Sequence, residues 1–332
     1  MTDSIQLPAM PPPEAAGALT RLAAADAAVR RIAVLDLADL EHSALLAPLI
    51  AALRDDPAPE VRREAAFVLA SWEREDVVEA LCATLLDADP GVREAAQQAL
   101  AELKAPGSAR VLRRWAARPE PFARRAALRG LRELRDAAAF EPAHAALADA
   151  DAEVRLEAVA VLGWLKDRRA VAPLAALAAA DAHSAVRRAA VGALGFAAVN
   201  ETAAGTALLH ALADADWQVR EEAASTLGKL RLPAARDALI HALDDDYWQV
   251  RLRAARALGR IGDAHAAPAV SALLAHPISN LRKEAALALG ELPSASSLAP
   301  LQAALDDRDP EVRKAVRIAL QQLTAQFEGG VS

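Results

Sequence analysis

Seven histidines and one cysteine hold most of the chemistry this chain could perform. His42, His144, His183, His210, His241, His265 and His276 could ligate a metal or relay protons, and Cys82 could act as a nucleophile. His210 and His241 stand 31 residues apart. Two neutral imidazoles in register could share a metal ion, but no carboxylate or thiol converges on them by spacing. Cys82 lies inside VVEALCATLL, on the apolar side of a helix, where a thiol is buried and inert. With a single cysteine, neither an internal disulfide nor a cysteine-rich metal site can form. No G-x-S-x-G and no glycine loop able to cradle a phosphate occur. The reading is a non-enzyme, with no catalytic residue, no metal ligand and no cofactor.

The 31-residue interval is not confined to the histidines. An arginine, most often in a Val-Arg pair, recurs at Arg30, Arg62, Arg93, Arg124, Arg155, Arg187, Arg220, Arg251, Arg282 and Arg313, at spacings of 31 to 33. Seven residues after each stands a leucine, from Leu37 to Leu320. Three residues after each stands an alanine, with Val316 in the last repeat. Self-similarity at a fixed period of this length is the mark of a solenoid.

Each unit has two helical halves. Segments such as APLIAALRD and VAPLAALAAAD place apolar residues at helical spacing and end in Asp. A short break follows, often Asp-Pro, in which Asp caps the next helix and Pro occupies its first position. In that second helix Val, the alanine at +3 and the leucine at +7 share one face. Gly163, Gly195, Gly228, Gly259 and Gly290 stand at +8, where a small residue lets a neighbouring helix approach or lets the helix stop. Six residues before the arginine stand Asp87, Asp149, Asp181, Asp214, Asp245 and Asp307, so an Arg–Asp ladder tying the turns together is expected. Arg118 and His276 hold that place in repeats 4 and 9, where the ladder should be interrupted.

The pattern D-x-(D)-P-x-V-R-x-x-A-x-x-A-L-G resembles the HEAT-like repeat of the phycobilisome-lyase (bilin-lyase) HEAT-like superfamily. The resemblance covers about residues 14–325 and implies an all-α fold, an α-α superhelix of about ten two-helix repeats with the second helices on its concave side. The bulk numbers agree: 54% of residues are hydrophobic and only 3% aromatic, so the apolar mass is Ala and Leu, strong helix formers. The HEAT-like di-iron hydroxylases take iron through His-Glu pairs, and no histidine here begins one. The expected organisation is a disordered Pro-rich lead over 1–13, one solenoid over 14–325 and a flexible tail over 326–332. No export signal is visible and no apolar run is long enough to span a membrane, so a cytoplasmic location is expected.

A net charge of −7 argues against general attraction to nucleic acid. One stretch, from Arg110 to Asp136, holds nine arginines against three acids, a patch too local for a phosphate track and better read as a salt-paired surface. The surface that could recognise another protein lies in repeats 5 to 8. Trp217 and Trp248 occupy the slot filled elsewhere by Pro59, Pro90, Pro121 and Pro310, at the start of the second helix. With Gln218, Tyr247 and Gln249 they form a duplicated set at the ridge of the turns, of hot-spot composition. On the inner face Trp164 and Phe196 offer an aromatic floor beside a stripe of Arg253, Arg256 and Arg260, suited to an apolar partner bearing carboxylates. The function expected is a protein-binding scaffold or assembly factor, open to homo- or hetero-oligomers. The family resemblance implies as alternative a factor that holds or delivers a tetrapyrrole.

Overall fold

A computed structural model describes residues 10–329 of the chain, and every regular element among them is helical. The first nine residues of the expected lead and the last three of the expected tail lie outside the described residues. Ten helical hairpins follow one another, the odd-numbered helix of each here called A and the even-numbered one B. The first five are α1 (Ala16–Arg21) with α2 (Ala27–Ala38), α3 (Leu46–Asp55) with α4 (Pro59–Leu69), α5 (Glu75–Thr84) with α6 (Pro90–Ala101), α7 (Ala109–Trp115) with α8 (Pro121–Glu133), and α9 (Phe140–Ala146) with α10 (Ala152–Leu165). The next five are α11 (Val171–Ala180) with α12 (Ser184–Ala193), α13 (Thr202–Ala211) with α14 (Trp217–Leu230), α15 (Arg236–Ala242) with α16 (Trp248–Ile261), α17 (Ala267–Ala272) with α18 (Ser279–Glu291), and α19 (Leu298–Ala303) with α20 (Pro310–Gly329). The described part of the tail is the helical end of α20. The hairpins fall into two compact units divided within α10, one ending at Val161 and one starting at Leu162.

The repeat residues form the core of each unit. The +7 leucines from Leu37 to Leu289 are all 0–1% exposed, each worth about 2 kcal/mol of apolar burial. Leu320 alone is half-buried, because no further hairpin covers the last described helix. The +3 alanines are fully enclosed, which lets consecutive B helices lie close. At most steps within each unit the B helices contact one another more extensively than the A helices do.

The ladder is present, and its direction is specific. At six of its positions, Arg30, Arg62, Arg124, Arg187, Arg220 and Arg282, the arginine reaches forward to the aspartate of the next repeat through two parallel hydrogen bonds. Arg62 Nε and Nη2 donate to Asp87 at 2.7 and 2.8 Å, Arg187 to Asp214 at 2.7 and 2.8 Å, and Arg282 to Asp307 at 2.7 and 2.8 Å. Arg124–Asp149 and Arg220–Asp245 repeat the geometry, as does Arg30 with Asp56, a residue at the same −6 position. The remaining nitrogen, Nη1, turns back to a carbonyl of its own A–B turn, as Arg187 does to Asp181 O at 2.8 Å. Each aspartate also closes its own turn by accepting the N–H two residues on, as Asp214 does from Asp216 at 2.8 Å. One carboxylate therefore shapes a turn and clamps the preceding repeat to it.

Both expected interruptions occur. Arg93 finds no carboxylate opposite Arg118. It keeps its turn carbonyl at Asp87 O (2.8 Å), and its guanidinium lies 5.8 Å from the centre of the Phe122 ring. At the other break His276 performs half of the aspartate's work. Its Nδ1 accepts from Ile278 N at 3.1 Å, so the neutral ring carries its proton on Nε2. That nitrogen faces Arg251 Nη1 at 3.3 Å and has no lone pair to offer it. Arg251 instead turns its Nε onto the carbonyl of Asp245. His276→Asp should supply the missing acceptor and raise stability by about 1 kcal/mol in urea unfolding.

The rungs also set the response to acid. Hydrogen bonds from Arg62, Arg187 and Arg282 hold the carboxyls of Asp87, Asp214 and Asp307 below the ordinary carboxylate range. Their folded values are depressed, so the stability they contribute is complete above the unfolded value of about 3.9 and disappears as pH falls through the folded values. His276 adds an earlier, smaller loss. Burial first, then the charges of Arg251 and Arg282, lower its pKa. Below about pH 6.5 the unfolded chain takes up a proton that the folded chain refuses. Urea midpoints across the pH range should therefore show a shallow decline from near neutrality, absent in His276→Asp, and a steep one below about pH 4.

Candidate docking ridge

The residues that could meet a partner are set out by the same turns. Trp217 and Trp248 are the first residues of α14 and α16, in the position that Pro59, Pro90, Pro121 and Pro310 take in other B helices. A first-turn N–H has no partner inside the helix, so an aromatic residue replaces Pro there without losing a hydrogen bond. Tyr247 is the N-cap of α16. Its backbone N–H donates to Asp245 Oδ1 at 2.9 Å, and Asp245 is held by Arg220. The rung thereby aims the Tyr247 ring back onto the previous repeat. It stacks on Trp217 with centroids 5.1 Å apart and planes 9° from parallel, and the Arg220 guanidinium lies 5.8 Å from its centre.

The ridge is exposed. Tyr247 is 44% and Trp248 37% accessible, Gln218 is exposed and Trp217 half-buried. Gln249 is also half-buried, and its amide oxygen is enclosed without a donor. It lies below the surface set rather than in it. On either side of Asp245 stand two exposed carboxylates, Asp244 and Asp246, neither within ion-pair reach of a cation among the described residues. Sequence reasoning passed over both, although the run DDDYW advertises them.

The inner-face set is less open to a ligand's carboxylates than its composition suggested. Arg253 Nε donates to Glu221 at 3.1 Å, and Arg256 forks onto the buried Glu284 at 2.7 and 2.6 Å. Both arginines are thus largely neutralised within the fold, and Arg260 is the member of the stripe with no carboxylate against it. Trp164 is 40% exposed near the end of α10, while Phe196 is half-buried just past α12. The basic stretch of repeat 4 is similarly paired: Arg110 with Glu75 at 2.5 Å, Arg113 with Asp136 at 2.5 Å, Arg114 with Glu79 at 3.0 Å and Arg132 with Glu157 at 3.1 Å.

The chemically reactive candidates are held in structural places. Cys82 is fully enclosed, and burial, with the charge of Glu79 beside it, pushes its thiol well above the ordinary range. His210 and His241 are exposed, and no cluster of metal-ligating side chains exists among the described residues. No helix among them is long and apolar enough to cross a membrane.

Hairpins repeated at this period, with B helices packed side by side and rungs between turns, define an α-solenoid of the HEAT class. The model of HEAT repeats matches residues 46–132, 115–195, 178–250 and 237–321, and the chain belongs to that family. No curated protein matches it in sequence. Among solved structures it is similar to an engineered protein, 22% identical, over 94% of this chain and 99% of that one, with a TM-score of 0.57. Kap95p, whose binding induces the switch loops of RanGDP to adopt the GTP-bound conformation, is 16% identical with a TM-score of 0.63, covering 94% of this chain and 50% of its own. Importin beta is 15% identical with a TM-score of 0.61, over 93% of this chain and 50% of that one. The chain spans half the length of these last two, and at such identities the likeness is one of fold.

Proposed function

We propose that this protein is a non-catalytic docking scaffold, and that the turns of repeats 7 and 8 are where a protein partner sits. The observation that carries this reading is the stacked Trp217–Tyr247 pair next to exposed Trp248. Three large rings are gathered at one edge of a chain in which aromatics make up only 3% of residues. Rigid, exposed aromatics bury much area at little entropic cost and are the usual anchors of interfaces. The inner-face group of Trp164, Phe196 and Arg260 would extend the contact, with Arg253 and Arg256 held by Glu221 and Glu284 as its frame. Holding one protein against another is the work such a surface suits, in the assembly or maturation of a complex.

The test is affinity capture from the native cells with the intact chain and with Trp217→Ala/Trp248→Ala. Partners recovered by the former should be lost by the latter while its melting temperature stays within a few degrees, since both rings are at the surface. Unchanged recovery would remove the ridge from the interface. The finer likeness, to bilin-lyase HEAT-like proteins, rests on the V-R…A…L-G register. It calls for cations to meet a tetrapyrrole's propionates, and Arg260 is the member of the arginine stripe available for that. Titration with a bilin and an absorbance scan checks it directly.

A further inference from the structure

We infer that the partner segment received by the ridge is cationic: an arginine-bearing stretch whose guanidinium lies on the Trp248 ring and whose neighbouring charges meet Asp244 and Asp246. This rests on the docking reading above and names the chemistry of what docks. The first observation is a pattern in the fold itself. Aromatic rings at or near the A–B turns are covered, Phe122, Trp115 and Tyr247 by arginines and Trp217 by the Tyr247 ring. Arg93 and Arg125 lie 5.8 and 5.3 Å from the centre of Phe122, Arg118 lies 5.0 Å from that of Trp115, and Arg220 lies 5.8 Å from that of Tyr247. Trp248 breaks the pattern. Among the described residues neither a guanidinium nor a second ring stacks on it, and it is 37% exposed. The nearest cation in sequence, Arg251, is turned elsewhere by its broken rung, onto Asp245 O and toward His276.

The second observation is charge. Asp245, in the middle of the acidic run, is committed to Arg220 and to the Tyr247 N–H, whereas Asp244 and Asp246 are exposed and unpaired. Across the previous turn Asp214 is committed to Arg187, and Asp216 caps α14 through Gln218 N at 2.8 Å. Among the described residues Arg251 is a cation of this turn with no carboxylate against it, and the two exposed carboxylates of Asp244 and Asp246 outnumber it, so the surface beside Trp248 keeps a net negative character. A π-face with exposed carboxylates two and four residues before it in the chain attracts a planar, weakly hydrated cation and repels an anion. The occupant is therefore an arginine-bearing protein segment rather than an acidic one.

The experiment uses the full chain and two dye-labelled probes, a short peptide alternating arginine with glycine and its glutamate counterpart, read by fluorescence anisotropy at physiological salt. The arginine peptide should bind and the glutamate peptide should not. Trp248→Leu and Asp244→Asn/Asp246→Asn should each weaken binding about ten-fold. Asp55→Asn/Glu60→Gln, which removes the same charge from exposed carboxylates of repeat 2, should leave it unchanged. Melting curves confirm that each variant is folded. Equal weakening by the repeat 2 variant would reduce the effect to the chain's overall acidity and overturn the assignment, as would binding indifferent to Trp248. If the peptides are not discriminated while captured partners still require Trp217 and Trp248, the cationic assignment falls and the docking reading stands. If captured partners ignore the ridge, the docking reading falls with it.

Discussion

Asp214→Ala should destabilise the second unit by about 2–4 kcal/mol, more than any surface substitution in the chain. The carboxylate is 9% and its partner Arg187 16% accessible, so the loss leaves a shielded guanidinium with only the turn carbonyls of Asp181 and Ala182. The same change strips the acceptor from Asp216 N and loosens the turn before α14. Asp214→Asn separates the two effects: its amide oxygen can still close the turn, but the charge-assisted fork is gone. About half the loss should remain. A solenoid transmits such damage only to nearest neighbours. Hydrogen exchange should therefore quicken in α12 and α14 while α18 and α20 keep their protection, and uniform acceleration throughout the unit would refute the picture of repeats coupled pairwise by rungs.

The sequence carried the fold because every repeat obeys the same local arithmetic. Arg, +3 Ala and +7 Leu at a fixed period leave one helical face to bury, and the neighbours to bury it against are copies of the same face. The ladder was legible for a similar reason, including its two breaks at Arg118 and His276. Its direction was not. A spacing of −6 places the aspartate in the arginine's own turn, yet the side chain reaches across to the next repeat and spends a single nitrogen on its own. Only the stacking distance between hairpins decides that, and no spacing within one repeat contains it. Asp56 stands at −6 like the others, and Arg30 forks onto it. The division within α10 likewise has no compositional mark.

The candidate site was legible by type and less so by state. Tryptophan in a proline slot marked the ridge, and the 31-residue interval between Trp217 and Trp248 predicted duplication. What could not be read was which ring would meet which. Tyr247 joins Trp217 rather than its chain neighbour Trp248 because Asp245 fixes its backbone at the N-cap. The arginine stripe was the weaker inference, since Arg253 meets Glu221 and Arg256 meets Glu284 across repeat boundaries. Intervals of that kind are set by the rotation between hairpins, which composition does not report.

The +8 glycines give the sharpest discrimination among otherwise identical substitutions. Gly228→Ala should cost about 1–3 kcal/mol, whereas Gly195→Ala, at the same repeat position, should be near neutral. A Cβ on Gly228 would stand 2.8 Å from both Cα and Cβ of Ala257, which belongs to the adjacent B helix, α16, and cannot swing away. Gly259 faces Ala288 and Gly290 faces Ala319 in the same manner, with Cα distances of 2.9 and 2.8 Å, so their alanine variants should behave like Gly228→Ala. At Gly195 the obstruction is the Nζ of Lys229 at 2.9 Å, the end of a flexible, exposed side chain. There the alanine has only to displace a mobile group. Thermal unfolding of the four variants tests close helix approach as the use of glycine at this position. None of the four has the left-handed φ of a helix-ending glycine, so without an obstruction each alanine would gain stability as the better helix former. Close approach predicts loss in three and little change in Gly195→Ala, because α12 has already ended at Ala193.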